Sequence, residues 1–205
     1  MKNILSQNEV DELLSGFQTE TDKSEHSRKQ KLTKDDVKTL QLMHESLGKD
    51  LSEKLSILFH NGVEIILSQI KKHPASTMKT IDEFSSVSGC FEFGNGMGRY
   101  VLDVSLVYSI IERLLGGSGV SSYHLQALTE IEKRIYSQVH DVVLECIRMQ
   151  WERHKLSLEI IDKACENHKE IERKLDVITV TMQIVLDPGM KGQMQLYYPL
   201  NSLLE

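Results

Sequence analysis

The sequence predicts an α/β domain in which two long helices and shorter helices pack on a mixed sheet, preceded by a tethered short helix. The order of long helix, strands and short helix occurs twice between residues 32 and 205, which indicates a pseudo-two-fold repeat. Residues 18–31 contain no apolar side chain and separate this domain from a helix signal at the amino terminus. The predicted organisation is a peptide helix at 1–16, a flexible linker at 17–31 and one domain at 32–205.

The composition argues against several classes of function. A net charge of −6 without a basic stretch argues against nucleic acid as a partner. No segment approaches the ~20 apolar residues of a membrane-spanning helix, so we expect a cytoplasmic protein without direct membrane insertion. The three cysteines, Cys90, Cys146 and Cys165, lack Cys-x-x-Cys spacing, and the eight histidines are scattered. We therefore expect no disulfide framework, no metal site and no cofactor.

Residues 4–14 carry a complete helix signal. Ser6 at the N-cap and Glu9 three residues later match a capping box, and Leu5 and Val10 have the spacing of a hydrophobic staple. Acidic side chains near the first turn favour the positive end of the helix dipole. A helix of about nine residues is marginal alone in water, so it needs a surface on which to dock.

Periodicity alone leaves two destinations open for this helix, its own domain or another protein. The polar linker favours another protein, because a segment without apolar side chains buries too little surface to become ordered. About 15 such residues span roughly 20 Å. We therefore expect the helix to bind a partner while the domain remains nearby.

The first half of the domain begins with a predicted helix over 31–59, for which Thr33 is the expected N-cap. Strands are predicted at 63–70, 89–93 and 99–103, the last two joined across Gly94-Asn95-Gly96, and a compact helix at 104–115. We expect Ser105 to cap that compact helix. The expected buried face of the long helix comprises Val37, Leu40, Met43 or His44, Leu47, Leu51, Leu55 and Leu58.

The second half begins with a long helix that Thr129 opens, with a capping box to Glu132. Its apolar seam is expected to comprise Leu128, Ile131, Ile135, Val139, Val142, Cys146 and Met149. Strands are predicted at 156–161, 175–186 and 192–199, and a last helical turn begins at 200–205.

The most specific internal motif is Gly116-Gly117-Ser118-Gly119. Three glycines in four residues permit positive φ and the close approach of another backbone. A phosphate-binding loop would need a preceding strand and a Gly-Lys-Ser/Thr ending, and the sequence has neither. A helix C-cap with a turn and a loop that contacts another protein remain as alternatives.

Several stretches resemble the FliM family of flagellar motor switch proteins. One is Ile-Leu-Ser-Gln-x-Glu-Val-Asp-x-Leu-Leu at the start of the chain, followed by the polar linker. Another is the apolar helix, the Gly-Gly-x-Gly loop, and Thr-x-x-Glu opening a long helix that ends near Trp151. The closing segment from Tyr198 is also similar. The resemblance covers nearly the whole chain and implies a CheC-like pseudo-two-fold domain.

This resemblance implies two binding sites. The amino-terminal helix would bind the phosphorylated response regulator CheY through Ile4, Leu5, Ser6, Gln7, Glu9, Val10, Asp11, Leu13 and Leu14. The glycine loop would contact the switch protein FliG through Gly116, Gly117, Ser118 and Gly119. Such a protein lies beside copies of itself in the C-ring at the cytoplasmic side of the flagellar basal body, where it controls rotation direction in chemotaxis.

The alternative function is a CheY-phosphate phosphatase of the FliY or CheC kind. Those enzymes carry an acid and an asparagine one helical turn apart, the amide positioning an attacking water. Asp50 and Glu53 hold the two positions here, and no asparagine occurs between Thr129 and His154. A second carboxylate would repel the phosphoryl group. We therefore expect no enzymatic activity.

The chain ends where members of the FliM family continue into a third domain that assembles with FliN. We therefore expect FliN as a partner only if such a domain follows. A piece of a longer switch protein and a short paralogue are both consistent with this sequence, and a paralogue of this kind would also suit a free-standing CheY sink.

Overall fold

The α/β fold class is confirmed in the computed structural model, which describes residues 33–74, 85–93, 96–119, 126–154, 176–187 and 189–203. The elements are α1 (Lys34–Phe59), β1 (Val63–Pro74), β2 (Ser86–Phe93), β3 (Gly96–Asp103), α2 (Val104–Leu114), α3 (Glu130–Arg153), β4 (Asp176–Leu186), β5 (Met190–Pro199) and α4 (Leu200–Leu203). The predicted peptide helix, the linker and the strand predicted at 156–161 lie outside the described residues.

The five described strands form one sheet in the order β1-β4-β5-β3-β2. Every neighbouring pair of strands is antiparallel. The prediction of a mixed sheet is therefore wrong for the described strands. Two hairpins, β2–β3 and β4–β5, have short connections that enforce antiparallel pairing, and they meet along β3 and β5. Each half of the predicted repeat therefore supplies one hairpin, and the two hairpins are joined where β3 pairs with β5.

Both long helices begin at capping boxes. Thr33 accepts from the backbone N–H of Asp36 over 3.2 Å, and the Asp36 carboxylate accepts from the Thr33 N–H over 2.7 Å. The predicted box at Thr129 and Glu132 is confirmed, with distances of 3.3 and 2.7 Å. The Ser105 cap is wrong, because β3 runs directly into α2 and Asp103 becomes the N-cap without a side-chain cap bond.

Helix α1 approaches β1 closely at Gly48. A Cβ atom added there would lie 2.9 Å from the carbonyl oxygen of Ile65 and 3.2 Å from the methyl carbon of Met182. This glycine therefore lets the helix backbone rest on the strand backbone.

The predicted face of α1 is buried apart from its last residue, because Phe59 is buried in place of Leu58. Both Met43 and His44 belong to this buried face.

We expect Gly48→Ala to lower the free energy of unfolding by about 1–3 kcal/mol, because the new methyl group pushes α1 off β1. Alanine is the better helix former by about 1 kcal/mol, so propensity alone predicts the opposite sign. Urea unfolding followed by circular dichroism measures the change. Lys49→Ala at the neighbouring exposed position is the control. A Gly48→Ala variant as stable as wild type would show that the contact relaxes freely.

Two serines of α1 bond the backbone of β1, which is one of the two edge strands of the described sheet. Ser52 Oγ accepts from the N–H of Ile65, and Ser56 Oγ accepts from the N–H of Val63, each over 2.9 Å. The register of β1 with β4 shifts between Leu67 and Gln69. The first part of this edge is therefore bonded to the helix of its own domain, and the strand is irregular further on.

An aromatic cluster around Tyr198 joins α1, α3 and the sheet. The Tyr198 ring makes edge contacts with His44, Phe91 and Trp151, with centroid separations of 5.4, 5.8 and 5.3 Å. His44 Nδ1 lies 2.7 Å from the carbonyl of Leu40, so Nδ1 carries the proton, and Nε2 accepts from the Tyr198 hydroxyl over 3.0 Å. Burial lowers the pKa of His44 to about 4. This histidine is a hydrogen-bonded core residue.

The buried face of α3 is rotated from the predicted seam. Val139 and Cys146 are buried as expected, but Ile131 is 73% exposed. The buried set is Tyr136, Val139, Val143, Leu144, Cys146, Ile147, Gln150 and Trp151. The prediction of Ile131 as a seam residue is wrong, because two large partly polar side chains, Tyr136 and Trp151, set the face that meets the sheet.

The cysteines behave differently from one another. Cys90 in β2 is disulfide-bonded, so the expectation of no disulfide is wrong at this position. Cys146 is free and buried, and its burial raises the pKa of the thiol to about 11.

No helix in the described part of the chain is long and apolar enough to cross a membrane.

Candidate functional site

The glycine loop follows directly from the end of α2. The N–H of Gly116 donates to the carbonyl of Arg113 over 2.9 Å, and the N–H of Gly117 donates to the carbonyl of Glu112 over 2.8 Å. Gly116 has a φ of 85°. This pair of bonds with a left-handed glycine is the Schellman arrangement that closes a helix. The helix C-cap that the sequence left open is therefore present.

One left-handed residue is enough for such a cap, so the other two glycines need reasons of their own. A Cβ atom at Gly117 would lie 2.6 Å from Glu112 Cγ and 3.1 Å from the Glu112 carbonyl oxygen. Gly119 has a φ of 73°, and a Cβ atom there would lie 2.5 Å from Arg113 Nε. A side chain at Gly117 would clash with Glu112, whereas one at Gly119 is disfavoured by the positive φ and would have to displace Arg113.

Arg113 links the loop to a neighbouring turn. Its side chain lies against Gly119, which is buried, and its guanidinium donates to the main-chain carbonyl of Asp187 between β4 and β5. The positive charge also sits in the last turn of α2, where the helix dipole favours a cation.

The surface left open by these contacts is small and mostly without side chains. Leu115 is 69% exposed, and Gly116, Gly117 and Ser118 are exposed beside it. A partner can place its own backbone or a flat side chain on the glycines and cover the leucine. This is the chemistry of a protein-contact loop, with an apolar anchor next to accessible main-chain groups.

Asp50 and Glu53, which stand at the acid and amide positions of the phosphatase pattern, both lie on α1 but have different neighbours. The Asp50 carboxylate accepts from Gln150 Nε2 over 2.6 Å and from Arg153 Nη1 over 2.8 Å, both on α3. Glu53 is exposed one turn further on. The Asp50 carboxylate thus joins α1 to α3, and Glu53 places a second carboxylate where the phosphatase pattern has an amide.

Among the described residues, no group of three or more histidine, cysteine or acidic side chains is arranged to hold a metal ion.

The family model of the flagellar motor switch protein FliM matches residues 33–205, which is most of the chain. The chain belongs to the FliM family. The FliM proteins of Bacillus subtilis (strain 168) and Treponema pallidum (strain Nichols) are each 26% identical to it, over 166 and 174 residues. These alignments cover 73% and 74% of this chain but only 50% and 49% of the relatives, so the chain spans about half their length.

Solved structures of the FliM middle domain share this fold. The FliG–FliM complex from H. pylori matches with a TM-score of 0.72 at 19% identity, covering 84% of this chain and 99% of that chain. The H. pylori FliM middle domain matches at 0.70 with 18% identity, covering 84% and 96%. Thermotoga maritima FliY matches at 0.66 with 16% identity, covering 85% and 94%. The FliM-type fold is therefore shared with FliY, whose kind supplied the enzymatic alternative.

The predicted site residues divide into two groups. Gly116, Gly117, Ser118 and Gly119 lie together in one loop at the end of α2, and their contact with FliG stays a prediction. The nine predicted CheY-binding residues between Ile4 and Leu14 lie outside the described residues. Sequence reasoning missed the bond between Arg113 and Asp187, because the two residues are 74 positions apart and the acceptor is a main-chain carbonyl.

Proposed function

We propose that this chain is a flagellar motor switch component that binds phosphorylated CheY through residues 4–14 and FliG through the loop 116–119, and thereby controls rotation direction in chemotaxis. Residues 17–31 serve as the tether, and residues 32–205 as the middle domain. The place of action is the cytoplasmic side of the flagellar basal body, where copies of this domain lie side by side in the C-ring. FliN becomes a partner if a further domain follows.

The observation that carries the FliG contact is the loop at the end of α2. Two backbone hydrogen bonds close α2, and Gly117 and Gly119 keep the loop without side chains at these positions. The neighbouring Leu115 side chain is 69% exposed. The exposed Leu115 side chain contributes little to the stability of its own domain, so its position suits contact with a partner. The crystallised complex of H. pylori FliM with FliG supports FliG as the partner.

The experiment for this contact is a titration of the full chain with FliG by isothermal calorimetry. We expect binding by the wild type and its loss in Gly117→Asp, because the new side chain clashes with Glu112 and adds a like charge beside it. Ser137→Asp, at an exposed position on α3, adds the same charge as a control. Unchanged FliG binding by Gly117→Asp would refute the loop as the contact.

The CheY contact is supported by the sequence of residues 4–14 and by the linker. A tethered site raises the effective concentration of the captured regulator at the domain to about the millimolar range. We expect the double variant Leu13→Ala/Leu14→Ala to weaken binding of phosphorylated CheY at least about thirtyfold, the effect of losing a central apolar anchor. Thr19→Ala/Thr21→Ala in the linker is the control. Equal affinity of the two double variants would contradict the proposed site.

These two titrations also separate the switch from a free-standing CheY sink. A sink retains CheY binding but has no FliG contact, whereas the proposed component has both. Tethered-cell rotation in a strain lacking its own switch protein is the corresponding cellular measurement. A chain that binds CheY and never FliG would favour the sink.

We also predict that Glu53→Asn does not create phosphatase activity. The change restores the amide of the enzymatic pattern, but the Asp50 carboxylate remains bonded to Gln150 and Arg153 of α3. The loss of phosphoryl groups from CheY is measured by fluorescence decay with and without the full chain. Glu53→Gln, which removes the same charge, is the matched control. Acceleration by the wild type would instead favour the enzymatic alternative.

A further inference from the structure

The main-chain carbonyl of Asp187 brings three loops together at one end of the domain. It accepts hydrogen bonds from the Arg113 guanidinium at the end of α2 and from Asn61 Nδ2, 3.4 Å away in the turn after α1. The N–H of Asp187 in turn donates to the carbonyl of Gly62 over 3.1 Å. The turn before β1, the turn before β5 and the end of α2, from which the glycine loop starts, are therefore bonded to one another.

The turn that contains Asn61 is itself closed by local bonds. Asn61 Oδ1 accepts from the N–H of Gly62 over 2.8 Å, while the same side chain donates to Asp187 through Nδ2. His60 ends α1 with a φ of 51°. The amide group of Asn61 thus has both of its ends occupied, one holding its own turn and the other reaching the Asp187 carbonyl.

The glycine loop is held at both of its ends. At its start, the Schellman bonds fix Gly116 and Gly117 on α2. At its end, Gly119 lies against the Arg113 side chain, whose guanidinium is bonded to the Asp187 carbonyl. A binding loop fixed in one conformation loses less conformational entropy when a partner docks, so its affinity is higher.

We propose that Arg113 and Asn61 are positioning residues that hold the loop 116–119 in its binding conformation through the shared Asp187 carbonyl. The partner then meets one composite surface, with Leu115 and the glycines at its centre and the turns at Asn61 and Asp187 beside them. This inference rests on the proposed FliG contact and adds residues outside the glycine motif.

The test compares three variants of the full chain, Arg113→Gln, Asn61→Asp and, as a control, Arg134→Gln at an exposed position on α3. Asn61→Asp retains the acceptor for Gly62, but it replaces the donor to the Asp187 carbonyl with a charged acceptor. We expect Arg113→Gln to weaken FliG binding about tenfold, the effect of losing one charge-assisted hydrogen bond, and Asn61→Asp to weaken it about threefold. The control binds FliG as the wild type does.

Amide hydrogen exchange at residues 116–119 separates positioning from direct contact. In the free chain, Arg113→Gln should speed exchange at these amides while the midpoint of thermal unfolding stays close to that of wild type. Wild-type exchange at the loop together with wild-type FliG affinity would overturn the inference and leave the Gly117→Asp result untouched. If the wild-type chain does not bind FliG, the proposed function fails, and the exchange rates alone then decide whether Arg113 positions the loop.

Discussion

Replacing Trp151 with alanine lowers the free energy of unfolding by about 3–5 kcal/mol, which is a large part of the stability of an ordinary domain. Trp151 is 2% exposed in the last turn of α3 and packs edge-on against Tyr198. Its indole N–H is hydrogen-bonded to the Tyr198 hydroxyl. The alanine variant therefore leaves a cavity and also removes a donor from a buried oxygen.

Trp151→Phe separates these two losses. The phenyl ring retains most of the packing but lacks the donor, so we expect a loss of only about 1–2 kcal/mol. Ile131→Ala on the same helix is the control, because that side chain is 73% exposed and should change stability by less than about 0.5 kcal/mol. Since Trp151 is the single tryptophan, unfolding is followed by circular dichroism. Equal losses for Trp151→Phe and Trp151→Ala would contradict the cavity.

Acidification destabilises the domain through His44, by about 2–3 kcal/mol between pH 7 and pH 4.5. The pKa of His44 is about 4 in the folded chain, against an ordinary value of 6.5, because the ring is fully buried. The unfolded state binds a proton at higher pH than the folded state does. The contribution is therefore fully present above pH 6.5 and is lost as the pH falls through 4.

The measurement is the urea unfolding free energy across this range for wild type and His44→Gln. We expect a flatter pH dependence in the variant, and the difference between the two curves isolates His44. Other groups, including His73, whose pKa is also lowered by burial and by Lys71, remain in both proteins and cancel. His154→Gln, at the exposed end of α3, is the control and should retain the wild-type slope. Parallel curves for wild type and His44→Gln would rule out the buried neutral imidazole.

Local chemistry was predictable from the sequence where it depends on near neighbours. The N-caps at Thr33 and Thr129 were expected because a side chain and a backbone N–H three residues apart decide them. The direction in which β1 pairs with β4 and β3 pairs with β5 was not, because it depends on how distant segments meet. The α3 seam was misjudged at Ile131, since counting apolar residues gave no weight to the buried Tyr136 and Gln150.

The candidate site shows the same division. Its glycines were found because they are consecutive and chemically unusual. The Arg113–Asp187 bond joins residues on separate elements, and its acceptor is a main-chain carbonyl that every residue possesses. No sequence pattern marks such an acceptor, so only the folded chain reveals it.

The serines of α1 affect how copies of this domain can meet. An open edge strand invites another strand to extend the sheet, and a protein that works among copies of itself is held at high local concentration. Ser52 and Ser56 already occupy the N–H groups of Ile65 and Val63 at the start of that edge. In a ring of the proposed kind, a neighbouring domain would therefore not add a strand to the sheet at this part of β1, and its contact would lie elsewhere on the domain.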